Sequence, residues 1–154
     1  MKVLQYDNKK EELKLRAENK NIIDFAGCYK KNYRKFISIM DKNNGIGLAA
    51  PQIGLNINMF VFKKLDNRYE LVMNPTIIER SDETILVSEG CLSVKNILKK
   101  HKKLVRRHKT ITVTYNSGMF KVKKTFKGQD AIVFQHEYDH LKGVLYIDKL
   151  EEVK

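Results

Sequence analysis

QDAIVFQHEYDHLKG, residues Gln129 to Gly143, is the stretch whose reading decides the fold. Apolar residues at helical spacing, Asp130 near the start and Gly143 where a left-handed cap would close the last turn predict a helix over Gln129 to Lys142. Within it, His136 and His140 form the pattern H-E-x-x-H. One turn apart, both imidazoles face the same side and can grip one metal ion. Glu137 stands beside them, where a carboxylate can take a proton from a water the ion has activated. Ile132 and Val133 project onto the same inward stripe, so the site is expected to lie sheltered against the core.

Two histidines need a third ligand. Other H-E-x-x-H hydrolases take it from downstream, but here only Asp148, Glu151 and Glu152 follow, in a short tail that reads as solvated. Upstream, EGCLS, Glu89 to Ser93, presents Cys91 between a glycine and a leucine at the end of a strand pattern. A loop offering a thiolate would look this way. Cys91, His136 and His140 then leave a fourth position for water. A third segment, GIGLAAPQIG from Gly45 to Gly54, is rich in small residues that let the backbone pass close to another chain. Its G-x-G-x-x-A spacing follows a helix rather than a strand, which argues against a dinucleotide site.

The rest of the chain supplies an envelope. A helical rhythm at Leu13, Ala17 and Lys20 suggests an early helix, and Ile22, Ile23 and Phe25 open a more apolar stretch. Tyr29, Tyr33, Phe36, Ile37 and Met40 form the stripe of an amphipathic helix over Tyr29 to Asp41, ended by Asn43, Asn44 and Gly45. Strand patterns follow in INMFVFK, YELVMN, TIIER, ETILVS, TITVTYN and MFKVKKTF, with turns at Asp66-Asn67 and Ser117-Gly118 and a break at Asn74-Pro75. An antiparallel meander is the simplest assembly. The expected class is therefore α+β: antiparallel β-sheets around a central metal-binding helix, with N-terminal helices.

Length and composition narrow the classes further. The chain has 154 residues, 42% hydrophobic and 31% charged, which suits one domain over residues 1–154 and not a disordered chain. No stretch approaches the roughly 18 to 20 apolar residues of a membrane span, and the N-terminus lacks the apolar core of a signal peptide. Two cysteines are too few for a disulfide framework; Cys28, on a helical segment, reads as core. The net charge of +12 favours polyanions such as RNA. Much of it lies between Lys95 and Lys109, where Lys or Arg fills 8 of 15 positions and His101 and His108 read as solvated.

Taken together, GIGLAAPQ, EGCLS and QHEYDH resemble, in order, the motifs GxGLAAxQ, EGCLS and QHExDH of the peptide deformylase family. The resemblance spans roughly Phe36 to Asp148. It implies a hydrolase of protein biosynthesis and N-terminal methionine processing that removes the formyl group from formyl-methionyl nascent peptides and releases formate. By resemblance, Cys91, His136 and His140 hold one divalent ion, Fe²⁺ first and Zn²⁺, Ni²⁺ or Co²⁺ otherwise. Glu137 is the general base, and the Gln52 amide and Leu92 N–H stabilise the developing oxyanion. Gly45, Gly47, Glu89 and Gly90 would border the peptide, with Ile46, Val87, Ile132 and Val133 lining its methionine pocket. Glu89 would pair with Arg107 or Arg106. The implied location is the bacterial cytoplasm, or an organelle as a mature form.

Some features depart from that pattern. Val94 is followed by Lys95 where the family has proline, and the loop up to Arg107 is longer. The basic segment suggests a ribosomal RNA contact, with no DNA and no membrane partner. The long C-terminal helix by which many bacterial relatives dock on the ribosome is not expected after Leu150. A metalloprotease or other amidohydrolase, which would cleave internal bonds without needing Cys91, and a weakened metal-binding, RNA-contacting relative are the rival readings.

Overall fold

The computed structural model describes residues 1–95 and 103–152. Helix α1 (Lys9–Leu15) is capped by Asn8, whose side chain accepts from the N–H groups of Lys10 and Glu11. Its inward residue is Leu15, whereas Leu13 is 75% exposed. The rhythm through Leu13 is thus not the buried face. Helix α2 (Phe25–Lys42) is capped by Asp24 and buries Phe36 and Met40, with Tyr33 and Ile37 alongside; Tyr29 stays at its exposed rim. Asn44 takes up φ 54° just beyond its end.

The strands are β1 (Gly47–Ala49), β2 (Met59–Lys63), β3 (Tyr69–Arg80), β4 (Thr84–Val87), β5 (Lys103–His108), β6 (Thr110–Ser117), β7 (Phe120–Lys127) and β8 (Leu150–Glu152). They form two antiparallel sheets, β1-β2-β3-β6-β7 and β4-β5-β8, rather than one meander. Helix α3 (Gly128–Leu141) packs between them.

Strand β2 shows why the larger sheet holds the middle. Successive side chains alternate faces, so Met59 and Val61 go to one side and Phe60 and Phe62 to the other. The first pair joins Phe36, Met40, Leu48, Leu71 and Met73 under α2. The second joins Val72, Val113, Tyr115 and Phe126 under α3, where Phe134 meets Phe60 edge-on at 5.0 Å. Both faces being covered, the strand is apolar from Met59 to Phe62, and only its half-buried last residue, Lys63, is charged.

Four expectations change. Strand β3 runs through Asn74-Pro75 because a register shift between Met73 and Thr76 absorbs Asn74 at φ 48°, while its side chain pairs with the backbone N–H and C=O of Ile22. The basic run contains β5, in which Val105 and Arg107 point inward; only an inward arginine breaks the expected polarity of such a strand. The tail is anchored, although its acids stay largely open to water: Asp148 takes Arg16 through two hydrogen bonds, at 2.8 and 3.1 Å, and Glu151 takes Arg106, while β8 extends the smaller sheet. His108 is half-buried, its Nδ1 2.7 Å from the Ser81 carbonyl. His101 and the loop at 96–102 lie outside the described residues.

Helix α3 is buried round most of its circumference, not on a single stripe. Gln135 explains part of this. Its amide accepts from His108 N–H at 3.1 Å and donates to His108 C=O at 2.9 Å, serving a strand's backbone as a neighbouring strand would. This fastens α3 to β5 and so places the two histidines beside the end of β4. Cys28 behaves as core, packed with the α2 cluster, its sulfur 3.6 Å from that of Met59.

Candidate metal centre

On α3 the rings of His136 and His140 stand 5.0 Å apart, as one helical turn dictates. Cys91 sits in a tight turn closed by the Val94 N–H on its own carbonyl, 3.1 Å, and its Sγ lies 3.3 Å from His140 Nε2. The ligand atoms of Cys91, His136 and His140 all fall within 4.8 Å of one another. This is the grouping of three metal-ligating side chains found among the described residues.

The surroundings suit an ion. His136 Nδ1 is 2.7 Å from Glu89 Oε2, which keeps a proton on Nδ1 and leaves Nε2 as the donor facing the cluster. Glu89 is in turn clasped by Arg107, Nε to Oε1 at 2.6 Å and Nη2 to Oε2 at 3.0 Å. Arg107, at 2% exposure, is the buried partner; Arg106 points outward to Glu151. Burial pushes the Glu89 carboxyl up, but His136 and Arg107 outweigh it and hold it down at about 2, so it stays ionised. Burial drives His140 well below its ordinary range, toward the neutral imidazole that metal ligation requires. At His136 burial is outweighed by Cys91, Glu89 and Glu137, which raise it well above that range, so an ion binding there displaces a proton. One soft sulfur and two imidazole nitrogens, with the tautomer of one ring set from behind, fit a divalent transition-metal ion.

Glu137 lies against the same cluster. It is buried, its Oε2 has no hydrogen-bond partner among the described residues, and burial raises it to about 7. Gly47 faces it: a Cβ there would overlap the Glu137 carboxylate, so β1 can pass this close only as glycine. At Gly45 a Cβ would stand 2.8 Å from Leu92 Cδ1.

Gln52, in the 3-10 turn Ala50–Ile53, divides its amide. The oxygen accepts from Ala49 N–H at 2.8 Å and caps the turn, while the nitrogen donates to Ser93 Oγ at 3.2 Å and stands 3.5 Å from Cys91 Sγ. Leu92 is held by the Gln5 amide on its carbonyl at 3.1 Å. A cavity of about 690 Å³ opens over these groups. Its wall includes Gly45, Ile46 and Gly47 on one side, Val87 to Leu92 on the other, and Ile132, Val133, His136 and Glu137 from α3. All the pocket residues expected from sequence therefore reach it, although Glu89 turns its carboxylate away to Arg107 and His136.

Several neighbours were not legible in the sequence. Asn44, Ser88 and Gln129 also line the cavity, and Tyr146 stacks on His136 with centroids 6.1 Å apart. Asp139 accepts from Arg107 Nη1 at 2.6 Å. Its place in QHEYDH, three residues from His136, was the available signal; its partner was not.

Comparisons with known proteins agree with this geometry. The family model described as polypeptide deformylase matches residues 1–154. The peptide deformylase of Thermotoga neapolitana is 39% identical over 142 residues, covering 91% of this chain and 83% of that protein. The chloroplastic peptide deformylase 1B of Solanum lycopersicum is 38% identical over 145 residues, covering 90% of this chain and 50% of its own. The crystal structure of the Thermotoga maritima peptide deformylase superposes with a TM-score of 0.87 at 35% identity, covering 97% of both chains.

Proposed function

Because this chain belongs to the peptide deformylase family, we propose that the Cys91, His136 and His140 cluster is where it acts. The protein is an enzyme, a metal-dependent hydrolase that removes the N-terminal formyl group from formyl-methionyl nascent peptides and releases formate. The observation that carries the assignment of the site is the meeting of one sulfur and two imidazoles within 4.8 Å, in the cavity that also holds buried Glu137. Residues 1–154 act as one catalytic domain.

When bound, the divalent ion supplies Lewis acidity, polarising the formyl group and making water a nucleophile near neutral pH. The chain does the rest. Glu137, a sheltered carboxylate, takes the proton of the attacking water and delivers it to the departing amine. Gln52 Nε2 and the Leu92 N–H are the donors for charge that builds on the formyl oxygen. Because the Gln52 oxygen is held by Ala49 N–H, its nitrogen is aimed before substrate arrives. Ile46, Val87, Ile132 and Val133 receive the methionine side chain, and the peptide backbone lies along Gly45 to Gly47 and Gly90. Strand β1 is an edge of its sheet, so an extended peptide can add to it as a further strand. Glu89, backed by Arg107, orients His136.

Fe²⁺ is the expected physiological ion, although one thiolate and two imidazoles also suit Zn²⁺, Ni²⁺ or Co²⁺, and a ferrous ion can be lost to oxidation during purification. Anaerobic purification with elemental analysis identifies it; zinc at full occupancy and full activity would displace that assignment. The substrate places the enzyme in the cytoplasm of a bacterium, or in an organelle. No helix of the described residues is long and apolar enough to cross a membrane. Ribosomal RNA contact through the basic segment draws support from the +12 charge. Against it, Lys103, Arg106, Arg107 and Lys109 are engaged by Glu152, Glu151, Glu89 and Glu83. Co-sedimentation with ribosomes at rising salt tests it, and salt-insensitive absence from the pellet would remove it.

The central experiment measures formate from formyl-Met-Ala-Ser with wild type and Glu137→Ala, alongside bound metal. Wild type turns over, and the variant keeps its metal while losing at least about a hundredfold in rate. Full rate in Glu137→Ala would remove Glu137 as the base.

A further inference from the structure

Behind His136 runs a ladder of alternating charges that ends at the surface. Lys149 Nζ meets Asp139 Oδ1 at 2.9 Å and Oδ2 at 2.8 Å. Asp139 Oδ2 accepts from Arg107 Nη1 at 2.6 Å; Arg107 presents Nε and Nη2 to Glu89; and Glu89 Oε2 faces His136 Nδ1 at 2.7 Å. The outermost rung stands on the 3-10 turn Tyr146–Lys149, whose Tyr146 also covers the His136 ring.

Glu89 has two obligations, a buried guanidinium and an imidazole. A guanidinium facing one carboxylate alone is free to swing about it and compete for both oxygens. Asp139 removes that freedom by occupying Nη1, so that Arg107 offers Glu89 only the Nε and Nη2 edge. Oε2 then stays directed at His136. Asp139, only 13% exposed at its side chain, would itself be a poorly solvated charge without Lys149 on its outer side.

We propose that Asp139, steadied by Lys149, is a positioning residue for the metal: through Arg107 and Glu89 it fixes the direction of the His136 Nε2 lone pair and thereby the affinity of the site for its ion. The proposal rests on His136 being a ligand, as read above. It adds two residues outside the cavity to the metal site, one of them carried by the C-terminal segment.

The test uses Co²⁺-loaded protein, in which thiolate-to-cobalt absorption reports the ion at Cys91, and withdraws the ion with a competing chelator. Asp139→Asn is expected to weaken Co²⁺ affinity by about tenfold, the lower end for residues that hold a ligand. Asp139→Glu recovers part of the loss, and Lys149→Met weakens affinity by about two- to threefold, less than a residue that touches Arg107. The double variant is no weaker than Asp139→Asn, because the two residues act in series. Melting of the metal-free proteins is followed in parallel. A merely structural Asp139 lowers that melting temperature and leaves the Co²⁺ affinity of the folded protein at the wild-type value, which would overturn the proposal. If Asp139→Asn does not fold, Lys149→Met decides, and wild-type affinity there overturns it. Wild-type protein that takes up Co²⁺ without thiolate absorption would instead overturn the reading of the metal site itself.

Discussion

Two sheltered carboxylates, half-buried Glu70 and buried Glu89, answer the same physical problem at different places in the molecule. Glu70, near the start of β3, accepts from the Tyr115 hydroxyl at 2.6 Å and meets Lys124 and Lys64, each at 3.2 Å. Glu89 accepts from Arg107 and faces His136. In both, burial favours the neutral acid and the partners overturn it, holding the carboxyl below its usual range. The difference lies in where each cluster ends. Glu70 ends on lysines and a phenol, all satisfied within the fold. The Glu89 chain ends on an imidazole that opens onto a cavity, beside a Glu137 oxygen that has no partner among the described residues. A buried charge alone therefore does not mark a site; one whose chain of partners stops at groups awaiting a ligand does.

Removing one element of each cluster separates them. The largest effect is expected from His140→Ala: metal content by elemental analysis falls to background and formate release drops by more than about a thousandfold, since two remaining ligands hold a divalent ion weakly. Glu70→Gln should keep the full metal content, and a loss of metal there would end the contrast. Next comes Gly47→Ala. Its methyl must displace the Glu137 carboxylate, and a shift of about 1 Å in a catalytic group costs up to about a hundredfold in kcat, with folding retained by circular dichroism. An unchanged kcat would show that β1 yields rather than Glu137.

On the structural side, Glu70→Gln leaves buried Lys64 with only Asp66, at 3.9 Å, as an anionic partner and should cost about 1–3 kcal/mol in urea denaturation, with formate release at 25 °C unchanged. The smallest effect is its pH dependence. The folded Glu70 carboxyl sits below its unfolded value of about 4.3, so its stabilisation is complete above that pH and fades as the pH falls through the folded value. Wild type and Glu70→Gln should accordingly converge in stability toward acid. A gap that widens in acid would reverse the sign of the shift.

What could be read in advance follows the range of each interaction. The α3 histidines are related by one helical turn, and the Gly45 to Gly54 and Glu89 to Ser93 segments are continuous, so these groups were legible as they stand. The expected break at Asn74 was wrong because a side chain bonded to Ile22, 52 residues away, carries the strand through. The basic run concealed β5 because Arg107 points inward, against the expectation that a cationic residue faces water. That the tail is anchored was not legible because Arg16 and Arg106, its partners, lie far off in sequence.

The sequence by itself determined the chemistry available: a thiol, two imidazoles and a carboxylate in local patterns whose spacing is set by helix and turn geometry. Only the tertiary structure decided how that chemistry is aimed. The Arg107 that steadies Glu89, the Asp139 that steadies Arg107, and the Gly47 backbone that passes against Glu137 meet across sheets. Which cation neutralises which buried anion is chosen by long-range packing, and residue type restricts that choice without making it.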